Sequence, residues 1–309
     1  MTKDFISIGA AVYDITGRLL SDSVNERDSN PSRIYSSCGG VGRNIVENAA
    51  RLGIDSSFIS VLGSDAFSSE LRKSCESVGV DLSHCYTHDG AKPCVYINLI
   101  ERQGELLFAS SDLDSVESIP TEFFIECMPF INRHRLVCLD TNLVEAQLLT
   151  IAENCQSPII ADTVSIAKAP RIRPILKYLS AIKTNIGELG ALTDTCPGTF
   201  AEVEKACHRL LDSGIKQVFV TMGKDGAFCV DSKGCERIDA IETEVVSVTG
   251  VGDAFGAGVA YGILRGLSPV DTLLFGTAMS HITLKCPHAV SKDISEAAVL
   301  QLIEGFEVK

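Results

Sequence analysis

Short runs of β-branched and aliphatic residues alternate with longer stretches of helical periodicity over most of this 309-residue chain. Such alternation is typical of βαβ units around a mainly parallel sheet, because each helix returns the chain to the end where the next strand begins. Short connections favour one domain over residues 1–309. The predicted strands are Phe5–Val12, Ser57–Leu62, Arg135–Asp140, Pro158–Asp162, Ala181–Thr184 and Gln217–Met222. The predicted helices are Val41–Leu52, Ser68–Val78, Leu143–Asn154, Thr199–Ser213, Gly252–Arg265, Pro269–Lys285 and Ser295–Gly305.

Two segments depart from this alternation. Residues 15–37 are polar with scattered apolar side chains, and residues 94–110 contain two apolar runs on either side of Gly104. The second segment therefore predicts a β-hairpin. Both segments fit strands outside the main sheet that form a small flap over a site at its edge. Two surface segments without a functional role would show the same pattern.

The charge balance excludes polyanions as main partners. The chain carries 27 Lys and Arg against 40 Asp and Glu, a formal net charge of −13. A field of that sign repels nucleic-acid backbones and anionic membrane surfaces. The 45% hydrophobic and 22% charged residues are typical of a folded soluble protein, and no apolar run approaches the ~18 residues that span a bilayer.

The twelve cysteines include no Cys-x-x-Cys pair, so the usual signature of structural zinc and of dithiol redox chemistry is missing. The six His residues also lack the spacing of a zinc enzyme. The N-terminal residues, with an acid at Asp4, fit a first strand and not a signal peptide. We therefore expect a cytoplasmic protein whose cysteines are reduced and mostly buried.

A glycine-rich segment at Thr249–Gly258 follows the strand-like run Glu244–Val248. Its glycines permit a tight turn, and the helix that follows begins with unpaired N–H groups that attract a negatively charged oxygen. Asp253 stands at this helix start. A carboxylate beside an anion site suits phosphoryl transfer, in which it takes a proton from the attacking hydroxyl. An ordinary turn with Asp253 as a first-turn acid explains the residues equally well.

A second glycine pair, Gly39-Gly40, opens the helix that carries Asn44. Glycine lets a ligand approach the backbone, and the amide of Asn44 offers a donor and an acceptor to a hydroxyl. Helix-start chemistry alone explains the same residues.

Asn185 and Glu188 follow the predicted strand Ala181–Thr184. At this spacing both side chains share one helix face and can reach the water shell of Mg²⁺. The same pair is also the pattern of a capping box.

Thr221, Gly223 and Gly226 predict a hairpin turn after another strand, where the backbone can also approach phosphate or ribose. Asp14, at the end of the first predicted strand, fits either a contact with sugar hydroxyls or a turn. The run Ala161–Lys168 fits a polar pocket rim or a solvated loop.

Together and in this order, these motifs resemble the ribokinase (PfkB-type) family of sugar and nucleoside kinases. The resemblance runs from about residue 4 to about residue 305 and depends on the motifs Asp14, Gly39-Gly40 with Asn44, Asn185-x-x-Glu188, Thr221-x-Gly223-x-x-Gly226 and Gly250-x-Gly252-Asp253. It implies a three-layer α/β/α domain with a central, mainly parallel sheet and a small β-lid, whose strands fall near 15–37 and 94–110.

The resemblance also implies roles for these residues. Asp253 resembles the base that activates the acceptor hydroxyl, and the N–H groups of Gly250, Val251 and Gly252 resemble its anion hole. The reaction implied is in-line attack of a primary hydroxyl on the γ-phosphate of ATP, with Mg²⁺. The remaining matches are substrate contacts at Asp14, Gly39, Gly40 and Asn44, nucleotide contacts at Asn185, Thr221, Gly223 and Gly226, and water-mediated Mg²⁺ contacts at Asn185 and Glu188.

Departures from the family pattern narrow the implied substrate. Ser247 stands where most members have an Asp of the monovalent-cation site, so the resemblance does not carry K⁺ activation over to this chain. The Gly39–Asn44 segment and the run Asp162–Lys168 are most similar to those of the pseudouridine kinases in this family. That similarity implies that Ser165 and Lys168 lie near a nucleoside and that the product is pseudouridine 5′-phosphate.

Two other functions stay open at this point. One is a kinase of the same family for another nucleoside or a sugar, such as inosine, adenosine, ribose or fructose. The other is a ligand-sensing homologue without catalysis. The resemblance also implies a homodimer that pairs through the lid.

Overall fold

The computed structural model describes residues 2–21, 24–25, 28–88 and 90–305. The strands are β1 (Lys3–Ile8), β2 (Val12–Leu19), β3 (Ser32–Gly39), β4 (Ser56–Ile59), β5 (Cys94–Ile100), β6 (Leu106–Asp112), β7 (His134–Asp140), β8 (Ile159–Asp162), β9 (Leu179–Asn185), β10 (Gln217–Thr221), β11 (Ala227–Asp231) and β12 (Gly234–Ile238). The helices are α1 (Val41–Arg51), α2 (Ala66–Glu76), α3 (Asp114–Glu117), α4 (Thr121–Ile131), α5 (Glu145–Asn154), α6 (Ile186–Thr193), α7 (Phe200–Asp212), α8 (Val251–Arg265), α9 (Pro269–Leu284) and α10 (Glu296–Glu304).

The main sheet has the strand order β12-β11-β10-β9-β8-β7-β1-β4. All pairs from β4 to β10 are parallel, and β11 and β12 add an antiparallel edge. Successive strand residues face opposite sides, so Phe5 packs into one hydrophobic core and Ile6 into the other. Helices α1, α2, α8 and α9 cover the Phe5 side, and α4 to α7 cover the Ile6 side. The predicted three-layer α/β/α fold is confirmed.

A second, small sheet has the order β3-β2-β5-β6. Antiparallel pairing of β5 with β6 confirms the predicted hairpin at 94–110, and β2 and β3 form the two ends of the segment 15–37. Residues 22–23 and 26–27 of that segment lie outside the described residues. Asp14 is in register with Ser37 and Tyr96, so the three side chains share one face of the small sheet.

The opposite face of the small sheet is apolar and exposed. Ile34, Leu99 and Phe108 stand in one row across the strands, on either side of Gly17. Phe108 is 63% exposed and Ile34 is 68% exposed. The small sheet therefore has one polar face and one apolar face, as the period of two along a strand requires.

The prediction of one strand over Phe5–Val12 is wrong, because β1 ends at Ile8 and β2 starts at Val12. The chain leaves the sheet at Gly9 and Ala10, where the N–H of Ala10 donates to Asp140 Oδ2 at 3.0 Å and not to a neighbouring strand. A Cβ at Gly9 would stand 2.2 Å from the same oxygen. Asp14 consequently lies inside the small sheet and not at the end of the first strand of the main sheet.

The strand-like run Glu244–Val248 is not a strand either. The N–H groups of Val246 and Ser247 donate to the carbonyl of Leu284, at 2.8 and 3.3 Å, so the run is held by the end of α9. Its three valines are exposed. The β-branched composition was therefore misleading, since among the described residues no strand pairs with the run.

Several elements were not predicted, among them α4, α6, β12 and a 3₁₀ helix over Ala169–Tyr178. In α4 the buried residues include Cys127, Met128, Phe130 and Ile131, and this near-continuous apolar run hides the helical period. All twelve cysteines are free, and only Cys196 and Cys235 are exposed. Within the part of the chain that the structure describes, no helix has the length and apolar character to cross a membrane.

Candidate active site

The polar residues of the candidate site lie at the carboxyl edge of the main sheet. Asp140, Asp162, Asn185 and Thr221 are the last residues of the neighbouring parallel strands β7, β8, β9 and β10. Parallel strands present their carboxyl ends at one edge, where ligands of open α/β sheets bind. Helices α1 and α8 begin at the same edge and complete the site.

Helix α8 begins in a way that only glycine permits. Gly250 is its N-cap with φ 76°, and a Cβ there would stand 2.0 Å from the carbonyl oxygen of Ala289. The helix starts at Val251, and its first N–H groups have no partner within the helix, so they form the positive end of the helix dipole. Asp253 lies in this first turn. The structure thus places the predicted base beside the predicted anion cradle.

Asp253 is paired with Asn44 across the two helices. Asn44 Nδ2 donates to Asp253 Oδ2 at 2.6 Å. Burial and then the nearby Asp162 carboxylate raise the pKa of Asp253 to about 6, against the opposing effects of Lys183 and Asn44. A carboxyl whose pKa lies closer to neutrality is better suited to accept a proton than an ordinary aspartate.

Asp14 belongs to the same cluster. Its carboxylate lies against Gly39, where a Cβ would stand 1.9 Å from Oδ2. Burial raises the pKa of Asp14 to about 7, although the charge of Arg43 acts in the opposite direction. The carboxylate of Asp253 adds to the increase, which places the two acids within electrostatic reach of each other. Gly40, with φ 96°, begins α1 beside them.

Asn185 and Glu188 form a capping box, which was one of the two explanations for this pair. Glu188 N–H donates to Asn185 Oδ1 at 2.9 Å, and Asn185 N–H donates to Glu188 Oε2 at 3.1 Å. Glu188 Oε2 also accepts from the hydroxyl of Thr163 at 2.6 Å, and Oε1 accepts from Asn185 Nδ2 at 2.7 Å.

This hydrogen bonding decides how the Asn185–Glu188 pair fits Mg²⁺. Both oxygens of Glu188 already accept hydrogen bonds and the residue is 4% exposed, so direct bidentate coordination does not fit. Glu188 Oε1 retains a lone pair for a water of the ion, and Mg²⁺ commonly keeps several waters. The described residues contain no group of three or more His, Cys, Asp or Glu arranged to hold a metal ion. The pair therefore fits a water-mediated contact only.

A cavity of about 660 Å³ adjoins the start of α8. Thr221, Gly223 and Gly226 line one side of it, and Val251 and Gly252 line another. The predicted hairpin turn is present, since β10 pairs antiparallel with β11. Gly226 has φ 88°, and a Cβ there would stand 1.9 Å from the carbonyl oxygen of Ile238. The three predicted nucleotide-loop residues thus share one cavity with the helix start.

Ser165 and Lys168 lie between β8 and the 3₁₀ helix over Ala169–Tyr178. Lys168 Nζ donates to Asn142 Oδ1 at 2.6 Å, and burial lowers the pKa of Lys168. The N–H of Ser165 donates to the carbonyl of Thr163 at 2.6 Å. The intervening Val164 has φ 59°, a conformation that is rare for a β-branched residue.

Two buried charged residues of this edge, Asp140 and Lys183, were not among the predicted site residues. Asp140 Oδ2 accepts from the N–H of Gly42 at 2.8 Å as well as from Ala10, so one carboxylate joins β7 to the start of α1. Lys183 Nζ lies 2.9 Å from Asp162 Oδ2, and a Cβ at Gly252 would stand 2.8 Å from that Nζ. Lys183 therefore places a positive charge directly beneath the first turn of α8.

Electrostatics keep Lys183 charged. Burial favours its neutral form, but attraction to Asp162 and Glu188 outweighs burial and raises its pKa. The signal available in the sequence was a lysine inside the short predicted strand Ala181–Thr184, because a charge is not buried in a sheet without a partner.

The fold is ribokinase-like. The protein superposes on the structure of Arabidopsis thaliana ribokinase complexed with ribose and ATP with a TM-score of 0.89, at 21% identity, covering 99% of this chain and 100% of that one. It superposes on a putative sugar kinase from Clostridium perfringens with a TM-score of 0.85, at 29% identity, covering 98% and 96%.

Sequence comparison gives the family. Residues 2–296 match the model of the pfkB family carbohydrate kinases. The chain is 32% identical over 308 residues to pseudouridine kinase of Escherichia coli strain K12, covering 99% of this chain and 98% of that protein. This chain belongs to the pfkB family of carbohydrate kinases.

Proposed function

We propose that this protein transfers the γ-phosphoryl group of ATP to the 5′-hydroxyl of pseudouridine, giving pseudouridine 5′-phosphate and ADP. The observation that carries the proposal is the position of Asp253, which pairs with Asn44 at the start of α8 where the nucleotide-sized cavity ends. The choice of pseudouridine is supported by the E. coli relative, which is named a pseudouridine kinase.

On the acceptor side, Asp14 and Asn44 bind the hydroxyls of the sugar. Asp253 accepts the proton of the 5′-hydroxyl as its oxygen attacks the phosphorus, while the bond between that phosphorus and the leaving ADP oxygen breaks. Burial, which raises the pKa of Asp253, also limits the access of water, which would otherwise compete as an acceptor. In this proposal Ser165 and Lys168 line the outer side of the nucleoside site.

On the nucleotide side, the turn with Thr221, Gly223 and Gly226 holds the nucleoside part of ATP. The first N–H groups of α8, at Gly250, Val251 and Gly252, face the transferring phosphoryl group, and Lys183 below them adds positive charge. Mg²⁺, held through water near Asn185 and Glu188, would supply further neutralisation of phosphate charge when it is bound with ATP.

We propose further that residues 1–309 work as one kinase domain in the cytoplasm, with the small sheet as its lid. The polar face with Asp14 and Tyr96 is turned to the acceptor, and the apolar face with Ile34 and Phe108 pairs with a second copy of the chain. Light scattering of the purified protein would test this dimer.

The test of the proposed function is a substrate panel. ADP release in the presence of ATP and Mg²⁺ is measured with pseudouridine, uridine, inosine, adenosine, ribose and fructose. The proposal expects the highest kcat/KM for pseudouridine. A higher kcat/KM for ribose or another nucleoside would overturn the substrate, and no turnover of any acceptor would overturn the kinase activity.

A further inference from the structure

The amide of Asn44 has a fixed orientation in the site. Arg43 Nη2 donates to Asn44 Oδ1 at 2.7 Å, and Asn44 Nδ2 donates to Asp253 Oδ2 at 2.6 Å. A guanidinium carries donors only, so it can pair only with the carbonyl oxygen of an amide. Arg43 therefore turns the NH₂ group of Asn44 toward the carboxylate of Asp253.

Arg43 is itself held in place by neighbouring side chains. Its Nη1 donates to Glu47 Oε2 at 2.7 Å and to Ser74 Oγ at 3.0 Å, and the residue is 2% exposed. Glu47 Oε1 also accepts from Arg51 Nη2 at 2.9 Å. Because Arg43, Glu47 and Arg51 follow each other at intervals of four residues, they form one ion-pair ladder along a face of α1.

We propose that Arg43 is a positioning residue for phosphoryl transfer: through Asn44 it orients the carboxylate of Asp253 toward the acceptor hydroxyl. The inference rests on the proposed function, because it assigns a task at the same site. If the Asn44 amide were turned the other way, its carbonyl oxygen would face the carboxylate of Asp253. The two oxygens would repel each other, and the carboxylate would be displaced. In the orientation that Arg43 imposes, one N–H of Asn44 holds Asp253 and the second is left for the acceptor.

Charges from several elements act on the two acids of the site, so the effect of Arg43 must be separated from theirs. Burial is the largest influence on both acids. At Asp253 the hydrogen bond from Asn44 opposes burial, and at Asp14 the charge of Arg43 opposes it. The other charged groups acting on Asp253 are Asp140 on β7, Asp162 on β8 and Lys183 on β9, with Asp14 on β2.

The test compares Arg43→Met with Arg51→Met. Both variants remove one arginine from the same ladder and leave Glu47 paired with the other, but only the first releases Asn44. In Arg43→Met we expect kcat with pseudouridine to fall by about 10- to 100-fold, with little change in the KM for ATP. The acid limb of the pH–rate profile should shift to higher pH. In Arg51→Met, kcat should stay within about twofold of the wild type, and the acid limb should not shift.

A second readout does not depend on turnover. Titration of the Asp253 carboxyl by ¹³C NMR should show a higher pKa in Arg43→Met than in Arg51→Met or the wild type. Equal kcat, acid limb and Asp253 titration in the two variants would overturn the positioning role. If the wild type phosphorylates no acceptor, the proposed function fails, and the NMR titration alone decides the role of Arg43.

Arg43→Lys covers the case in which Arg43→Met does not fold. The lysine keeps the charge and a donor for Glu47 but lacks the fork that reaches Asn44 at the same time. We expect a smaller loss of kcat than in Arg43→Met and a shift of the acid limb in the same direction. Wild-type values of kcat and of the acid limb in Arg43→Lys would overturn the proposal.

Discussion

The two halves of the proposed site present different groups to their ligands: backbone in the nucleotide half and side chains in the acceptor half. The nucleotide half is a cavity of about 660 Å³ in which Gly223, Gly226 and Gly252 present backbone. The acceptor half is a partly buried network of side chains, and we assign its chemistry to Asp14, Asn44 and Asp253. Phosphate can be held by N–H groups and a helix dipole, whereas activation of a hydroxyl needs a group that accepts a proton.

This difference predicts which kind of substitution impairs each half. In the acceptor half, we expect a change of a few side-chain atoms to remove activity while the fold persists. In the nucleotide half, we expect a change that moves the backbone to be more damaging than the exchange of a single side chain. The following predictions test that contrast, beginning with the largest effect.

Asp253→Asn should have the largest effect on activity. The amide cannot take the proton of the acceptor, so kcat should fall by about 100- to 10,000-fold while the nucleoside still binds. Steady-state kinetics and calorimetric titration with pseudouridine measure the two quantities. Asp271→Asn is the matched control, because Asp271 is also a first-turn acid, on α9. Equal, small losses in both variants would mean that Asp253 only stabilises its helix.

Gly226→Ala should damage the nucleotide half selectively. The new Cβ would stand 1.9 Å from the carbonyl oxygen of Ile238, so the turn must move. We expect the KM for ATP to rise by about tenfold, with little change in the KM for the acceptor. Gly53→Ala is the control, since Gly53 also has positive φ but nothing lies within 4 Å of its Cβ position. An unchanged KM for ATP in Gly226→Ala would contradict the nucleotide assignment.

A pH dependence also belongs to the acceptor half. Burial raises the pKa of Asp253 to about 6 and that of Asp14 to about 7, and both must be deprotonated to act. As the pH falls through these values the acids take up protons, so kcat/KM for the acceptor should decrease toward low pH. This decrease is measured by a profile of kcat/KM from pH 5 to 8. A flat profile between about pH 5 and 7 would contradict the roles assigned to Asp253 and Asp14.

The sequence predicted the sheet, most helices and the start of α8, because these depend on local periodicity and on glycine geometry. It misplaced Asp14, since an apolar run cannot reveal that the chain leaves the sheet where Asp140 captures the N–H of Ala10. The orientation of Asn44 was equally out of reach. It depends on Glu47 and Ser74 holding Arg43, and Ser74 lies on another helix.

The Asn185–Glu188 pair shows a different limit. The sequence offered a capping box and a Mg²⁺ contact as alternatives, and the structure contains the capping box with one carboxylate oxygen still able to accept from water. Both descriptions use the same two side chains. Spacing along a chain cannot separate them, because a helix N-terminus that binds its own cap has the geometry that also places oxygens near a ligand.

A crystal structure with pseudouridine and a non-hydrolysable ATP analogue tests the central claim most directly. The account predicts the 5′-oxygen about 3 Å from the carboxylate of Asp253, with the γ-phosphate of the analogue over the first N–H groups of α8. Asn44 should still donate to Asp253 in that complex. A nucleoside bound with its 5′-oxygen turned away from Asp253, or a γ-phosphate held elsewhere, would contradict it.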